Sequence, residues 1–466
     1  MILGRTLPSL LDEACDRSPN LYALNQWTET GWQSMSNQVF RTAVEELALG
    51  LGALQLEKGD RITLLMHSDV NFCIADMGCL FAKLVDVPID LTQTLENIVF
   101  ILQHTEAKAL IISNLDLLSQ VVPYLKDTPN LTTLIVAEVP DDWVQRRSQL
   151  LCCQTSAHED GAMQSASQAE IPASACLCIP MFLPHAQLDH PCPPLPQCIQ
   201  VFSLLEVRAR GRSQGSENAH QQLHSDQAAG ELATLIYIPD ATGQLQGVML
   251  THENLSANAL AAFTGIPGLK FGSQEVVLSF LPLTHVFARS LLYGHINYGH
   301  SVYLTTPNRV MKHLKEVQPT IFATVPLLLE KIYSKILEQG GKRSHGRLGG
   351  NGHKDGTKTR FRLNFPRWRI PVSFLPSLLT GASQITSNWA LNLAKRYKLS
   401  QKPSGFYKLQ LKLADKLVFS QWRSGLGGRL KYLISGGAAL KVEVANLFAA
   451  AGLPILQGYG LTESSS

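Results

Sequence analysis

Residues 61–88 read RITLLMHSDVNFCIADMGCLFAKLVDVP, and the apolar spacing changes twice within them. Arg61–Met66 is a short apolar run of strand length. Asn71–Lys83 has the length and spacing of a buried helix, and Val85–Pro88 returns to a strand. Upstream, Phe40, Val44, Leu47, Leu51 and Leu54 recur at steps of three and four, which predicts a helix across 36–60. Ser36 is placed to cap it, and Lys58-Gly59-Asp60 to stop it. Downstream, Thr94–Thr105 and Leu115–Leu125 read as helices, and Ala109–Ser113 and Thr132–Val136 as strands. Strands alternating with helices predict an α/β domain with a parallel sheet covered on both faces. Such sheets bind ligands beyond the carboxyl ends of their strands. Residues 1–145 form the first α/β subdomain in this reading.

The chain has 466 residues, 45% of them hydrophobic and 17% charged, which excludes a disordered chain, a collagen and a coiled coil. Forty Lys and Arg against thirty-seven Asp and Glu give a net charge of +3, so the overall charge offers no case for a nucleic-acid partner. No apolar run reaches the ~18 residues of a membrane span, and the N-terminus lacks the apolar core of a secretory signal. The expectation is a cytoplasmic protein. Residues 146–227 break the alternation: seven prolines lie between Pro172 and Pro196, and six of the nine cysteines between Cys152 and Cys198. Those cysteine spacings match no paired C-x2-C zinc pattern. The stretch reads as an irregular insertion carrying reduced thiols. A second α/β subdomain is expected over 228–466, interrupted by a basic loop at 340–371. Nine Lys and Arg and a single Asp355 lie between Lys342 and Arg369, interleaved with Phe361, Phe365 and Trp368. Such a loop is either a solvated surface or a contact for a membrane or RNA, and peripheral membrane contact through 342–369 is the partner reading kept.

Three segments carry chemistry. LIYIPDATGQLQGVMLTHENL, residues 235–255, runs from a strand through a glycine-containing loop into a helix near Thr251. Loops of this kind wrap phosphates with backbone N–H groups, and a hairpin turn at Ala241-Thr242-Gly243 explains the same letters. LSFLPLTHVFARS, residues 278–290, sets His285 and Arg289 four apart. On a helix they share a face, toward a ligand or as a packed histidine with a surface arginine. LKYLISGGAALKVEVANLFAAAGLPILQGYGLTESSS, residues 430–466, holds two short strands, each ending in glycines, with Ala438–Ala451 helical between them. Glycine lets backbone approach a flat ligand, Thr462 offers a hydroxyl, and Glu463 offers a hard oxygen for Mg²⁺. Two ordinary strand-to-helix turns are the alternative.

Together and in this order, the segments resemble the AMP-forming acyl-CoA synthetases of the adenylate-forming superfamily, and most closely the long-chain fatty-acid–CoA ligases. The family's Y-T-S-G-T-T-G-x-P-K-G-V-x-L-T-H-x-N aligns with residues 237–254. Its L-P-L-x-H-x-x-E-R aligns with Leu281–Arg289, its S-G-G-A-x-L with Ser435–Leu440, and its G-Y-G-L-T-E with Gly458–Glu463. The resemblance implies the AMP-binding large domain, two doubly wound sheets flanked by helices. It implies activation of a fatty acid with ATP and Mg²⁺ to acyl-AMP, followed by transfer to coenzyme A. It implies that Ser435, Gly436, Gly437 and Ala438 line the adenine pocket with Tyr459 and Gly460. Thr462 would bond the α-phosphate, Glu463 would hold Mg²⁺, and His285 would stand between acyl tunnel and nucleotide.

The sequence departs from the family in two places. In the phosphate loop, Ile238, Pro239 and Asp240 replace Thr, Ser and Gly, and Gln246 replaces Lys. Ala241, Thr242, Gly243 and Gly247 keep its outline. At ~5 Å and an effective dielectric of ~20, a carboxylate beside a triphosphate costs about 3 kcal/mol, on the order of a hundredfold in binding. Ala288 also replaces the family's Glu. The family pattern continues beyond the Thr-Glu motif to a ribose-binding Asp and a small domain with a catalytic Lys, neither of which lies in residues 1–466. The expectation is a truncated or degenerate ligase whose small domain is absent or supplied by a separate chain. The alternative is a non-catalytic module that binds an acyl chain or a partner. A dinucleotide-binding oxidoreductase would need a G-x-G-x-x-G after a first strand, which is lacking.

Overall fold

A computed structural model describes residues 4–144, 147, 199–225, 227–341 and 384–465. The cysteine-rich stretch from Cys152 to Cys198 and the basic stretch 342–369 lie outside the described residues. The first half of the chain contributes β1 (Leu24–Thr28), β2 (Gly31–Met35), β3 (Arg61–Leu65), β4 (Val85–Pro88), β5 (Ala109–Asn114), β6 (Thr133–Glu138) and β7 (Gln200–Ser203). The second contributes β8 (Leu232–Pro239), β9 (Leu245–Thr251), β10 (Val276–Ser279), β11 (Ser301–Leu304), β12 (Ile321–Thr324), β13 (Tyr432–Ser435) and β14 (Ile455–Gln457).

These strands form two seven-stranded sheets, in the orders β7-β6-β5-β3-β4-β8-β9 and β14-β13-β12-β10-β11-β1-β2. Each is parallel except for its last strand, which closes an antiparallel hairpin: β9 on β8, and β2 on β1. The expected α/β class with two parallel sheets is therefore observed. Sheet membership does not follow the chain division at 145 and 228. The N-terminal hairpin joins the second sheet, and β8 and β9 join the first.

Period-two spacing sorts the first sheet's side chains between two cores. Leu64, Ile111 and Ile135 face the large central cluster, whereas Leu65, Leu110, Ile112 and Leu134 face a smaller one on the opposite side. Between the sheets run two helices buried almost all round, Val70–Phe81 and Val286–Tyr298. A helix without a polar face belongs in such a middle layer. Local capping sets their company: Asp69 accepts from Phe72 N at 2.9 Å, Ser36 from Val39 N at 3.1 Å and Thr94 from Asn97 N at 3.3 Å.

One expectation needs correction. Residues 199–225, read as part of an irregular insertion, form β7 and the helices Leu204–Gln214 and Glu217–His224. Ser203 and Glu206 make a reciprocal capping box at the start of the first helix. That helix crosses Asn37–Ala53 at backbone contact. A Cβ on Gly211 would stand 1.7 Å from Glu46 O, and one on Gly50 would stand 2.1 Å from Val207 O. Two glycines facing each other make this packing possible, and the low apolar content of the helix hid it from periodicity. The helix expected over Ala438–Ala451 is shorter, Val442–Ala450.

Candidate functional site

The carboxyl ends of β1, β3, β4, β10 and β11 surround a cavity of about 470 Å³. Trp27, Met66, Leu91, Phe280, Pro282, Leu304 and Pro307 supply its apolar wall, and Asp69, Asp90, Thr284, Arg309 and His313 its polar groups. The volume and mostly apolar lining suit a small-molecule site. Burial pushes the Asp69 carboxyl up to about 7, against the Phe72 N–H it accepts. His313 is fully buried, bonds Thr305 Oγ1 through Nδ1 at 2.6 Å, and lies against the rings of Trp27 and Trp32.

His285 does not itself line this cavity; it follows Thr284 and approaches Asp90, both of which do. It precedes the helix Val286–Tyr298 in an extended conformation, its Nε2 3.5 Å from Asp90 Oδ2. Asp90 also accepts from Thr284 Oγ1 at 3.2 Å and from Thr92 N at 2.9 Å. Desolvation of the ring lowers the His285 pKa from 6.5, with Asp90 pulling the other way, and the side chain keeps 47% of its surface exposed.

Two residues on, Phe287 leads away from the cavity to the glycine turns. A Cβ on Gly436 would meet the Phe287 ring at 2.6 Å, and one on Gly458 would meet it at 3.3 Å. Gly458 N donates to Ser435 O at 2.8 Å, which draws the ends of β13 and β14 together. Ser435 Oγ is buried there without a hydrogen-bond partner among the described residues, as a donor held for a ligand would be. Gly437 and Ala438 are exposed beside it, and Tyr459 is 95% exposed. Gly460 leads into a short turn, Thr462–Ser464, which lies along β9 and is anchored by Asn258 Nδ2 donating to Ser465 O at 2.6 Å. Glu463 is exposed on that turn.

The segment expected to wrap phosphate is a hairpin tip between β8 and β9. Asp240 Oδ1 accepts from Thr242 N at 2.7 Å, Thr242 Oγ1 at 2.6 Å and Gln244 N at 2.9 Å, and Asp240 O accepts from Gly243 N at 3.0 Å. Gln246 Nε2 lies 3.3 Å from Asp240 Oδ2. Gly243 takes φ +90° to close the turn, and Gly247 packs on the Tyr237 ring. The Thr242 hydroxyl and then the loop N–H groups hold the Asp240 carboxyl below the usual carboxylate range. Of the two readings of these letters, the turn is the one observed. The Thr242 and Gln244 N–H groups are held by the Asp240 carboxylate and the Gly243 N–H by the Asp240 carbonyl, so the loop as it stands does not fit a triphosphate. The turns at β13 and β14 present exposed Gly437 and Ala438, with the Ser435 hydroxyl buried beside them without a hydrogen-bond partner among the described residues.

Arg289 is not a surface arginine and faces no ligand. It is wholly buried, bonded to Asp76, to Asp86 at 3.0 Å, to Thr234 Oγ1 at 2.8 Å and to Tyr293 OH at 2.8 Å. The expected shared helical face is not formed: His285 precedes the helix in an extended conformation, and Arg289, one turn inside it, faces the protein interior. Sequence reasoning missed Asp76, Asp86, Asp69 and Asp90. An acid inside the apolar run of 70–81 was the available signal for Asp76, because a charge among buried residues needs a partner. Asp90 follows the carboxyl end of a strand, where ligand sites gather.

The AMP-binding enzyme profile matches residues 11–466. The long-chain-fatty-acid–CoA ligase ACSBG2 of Xenopus laevis is 24% identical over 467 residues, 99% of this chain and 51% of that protein. The long-chain-fatty-acid–CoA ligase FadD15 of Mycobacterium bovis is 24% identical, covering 94% of this chain and 56% of its own length. Among solved structures, the adenylation domain of the carboxylate reductase from Mycobacterium chelonae superposes with a TM-score of 0.60 at 18% identity, over 98% of this chain and 58% of that one. The chain spans about half the length of the curated relatives it matches. The profile match, covering both sheets and every segment of the site, establishes that the chain belongs to the AMP-binding enzyme family.

Proposed function

We propose that this chain forms the acyl- and nucleotide-binding large domain of an AMP-forming fatty-acid–CoA ligase. The observation that carries the reading is the short path from His285 to Phe287. Its first residue follows Thr284 and approaches Asp90 of the cavity lining, and its last lies against the glycine turns of β13 and β14. A fatty acid in the cavity would present its carboxylate beside His285, toward a nucleotide seated on Ser435, Gly436, Gly437, Ala438, Tyr459 and Gly460. The carboxylate would attack the α-phosphorus, breaking the bond to pyrophosphate. The thiol of coenzyme A would then displace AMP. Thr462 would bond the α-phosphate and Glu463 would hold Mg²⁺, which neutralises phosphate charge. Chemistry of this kind needs positioning more than a covalent catalyst.

The Asp240 hairpin favours a second reading of the same site, a domain that retains acyl binding and has lost productive ATP binding. Three assays on the purified chain separate them: displacement of a fluorescent fatty acid, titration calorimetry with MgATP, and ATP–pyrophosphate exchange with a panel of fatty acids. Saturable acyl binding with exchange at background and no MgATP binding by titration calorimetry supports the second reading. Exchange above background, or acyl-CoA formed by this chain alone, overturns it. A folded protein that binds no fatty acid sinks the acyl reading altogether. Peripheral membrane contact through 342–369, and a separate chain supplying the small domain, are further proposals of this reading; vesicle flotation and co-purification test them.

A further inference from the structure

Outside the site, the segment between β12 and β13 turns a row of large apolar side chains to solvent. The helix Gly405–Ala414 runs through one wider turn, Asp415–Phe419, into the helix Ser420–Gly425. One side of it is anchored: Ala414, Val418, Phe419 and Trp422 are buried in the central core, and Tyr407 OH donates to Leu393 O at 2.9 Å. Another side is bare. Phe406, Leu409, Leu413 and Leu417 follow one another at steps of three and four, so they share a face, and they are 73%, 62%, 52% and 41% exposed. Lys408, Lys412 and Lys416 run beside them at steps of four, all exposed and none in an ion pair among the described residues.

We infer that this helix face docks on an anionic lipid surface, with Phe406, Leu409, Leu413 and Leu417 sunk among the headgroups and the lysine row against the lipid anions. A single exposed leucine needs no explanation, but a contiguous row of four large apolar side chains marks a contact surface. The helix Gly405–Ala414 has ten residues, and a span needs about 20, so it lies along the leaflet and does not cross it. An apolar stripe beside a basic one is the pattern of helices that rest on membranes. The long lysine stems let the apolar row sink while the ammonium groups stay at the headgroups.

Charge decides what covers the face. Residues 384–419 hold seven Lys and Arg against one acid, Asp415, and that acid is bonded to Arg423. The whole chain carries a net charge of only +3, so positive charge is concentrated here. Protein–protein interfaces are depleted in lysine and enriched in arginine and aromatic residues, which favours lipid over a protein partner. The chain's own segment 342–369, with nine Lys and Arg to one Asp, is repelled by the lysine row. Neither the ligase reading nor a membrane contact at 342–369 is needed for this surface.

Flotation of the purified chain tests the docking, with vesicles of phosphatidylcholine alone and of a phosphatidylcholine–phosphatidylserine mixture. The chain should bind the mixture far better than phosphatidylcholine, and binding should fall as salt rises. Leu409→Asn/Leu413→Asn, shown to be folded by circular dichroism, should weaken binding by more than about tenfold. Lys408→Ala/Lys412→Ala/Lys416→Ala should weaken it about fivefold for each lysine and flatten the salt dependence. Both variants leave 342–369 intact. Binding that survives in both, or that is lost only when the bases of 342–369 are replaced by glutamine, overturns the assignment. So does an absence of binding to the mixture. If the parent instead forms a concentration-dependent dimer in sedimentation equilibrium that the leucine variant abolishes, the face belongs to a second copy of the chain and the lipid assignment is wrong.

Discussion

Arg289 and Asp240 both come from segments resembling ligase motifs, yet one is wholly buried and the other lies at the surface. Arg289 has no exposed surface and bonds two carboxylates, a threonine and a tyrosine drawn from the helix Val70–Phe81, from β4, from β8 and from its own helix. Asp240 is partly exposed on a hairpin tip, and its hydrogen bonds among the described residues stay within that hairpin. The interior charge is tied to the assembly of the fold, because an ion taken from water must find compensation where it lies. The surface charge is tied to little beyond its own turn, so it can change what the protein binds with small consequence for folding. Substitutions at the two places should therefore fail in different ways.

The largest effect is expected at Arg289. Arg289→Met leaves Asp76 and Asp86 buried without their cation, which should cost about 3–5 kcal/mol in urea unfolding. Burial already pushes the Asp76 carboxyl up to about 7 despite the arginine, so this group readily takes a proton. Adding Asp76→Asn to Arg289→Met should accordingly recover part of the loss. A single variant within 1 kcal/mol of the parent would mean that the network is a passenger in the core.

His252 offers a second interior test, read through pH. It is fully buried, accepts the Leu7 N–H through Nδ1 at 3.2 Å, and burial lowers its pKa to about 4. Its unfolded value is 6.5, so its contribution is whole above pH 6.5 and is lost as pH falls toward 4. Protonation would set a cation at the N-termini of the two helices that begin at Leu7 and at His252, where helix dipoles oppose it. Asp69 and Asp76 titrate with the opposite sign, so the useful quantity is a difference between proteins. The unfolding free energy of the parent should fall relative to His252→Gln by about 3 kcal/mol from pH 7 to pH 4. Parallel curves would exclude the buried neutral histidine.

How much of this was legible follows the same division between interior and surface. Strands β3 to β6 and the helices between them could be read from periodicity, because each apolar face has a single place to go. Glu46 shows what could not. It lies on a helix read correctly, yet it is buried, and its partners Arg208 and Arg212 come from a segment whose sparse apolar residues looked irregular. The motif letters located the turns at Ser435 and Gly458 but not the Phe287 ring that fills the space between them. That contact joins residues far apart in the chain, and no local pattern encodes it. For Asp240 the letters gave the charge, and only the folded hairpin gave the bonds that tie it down.

Those bonds make the smallest but most informative prediction. Asp240→Gly removes both the charge and the acceptor, whereas Asp240→Asn removes the charge and keeps an acceptor for the loop N–H groups. Neither should move stability by more than about 0.5 kcal/mol, as for other exposed positions. Full charge relief could raise MgATP affinity on the order of a hundredfold, and solvent screening reduces that to roughly tenfold, about 1.4 kcal/mol. Titration calorimetry on the three proteins then sorts the causes. If both variants gain alike, repulsion was the obstacle. If only the glycine variant gains, the N–H groups had to be released before phosphate could take them. If neither binds MgATP better while fatty-acid binding persists, the turns at Ser435 and Gly458 are not completed by this hairpin, and the nucleotide half of the proposed site is wrong.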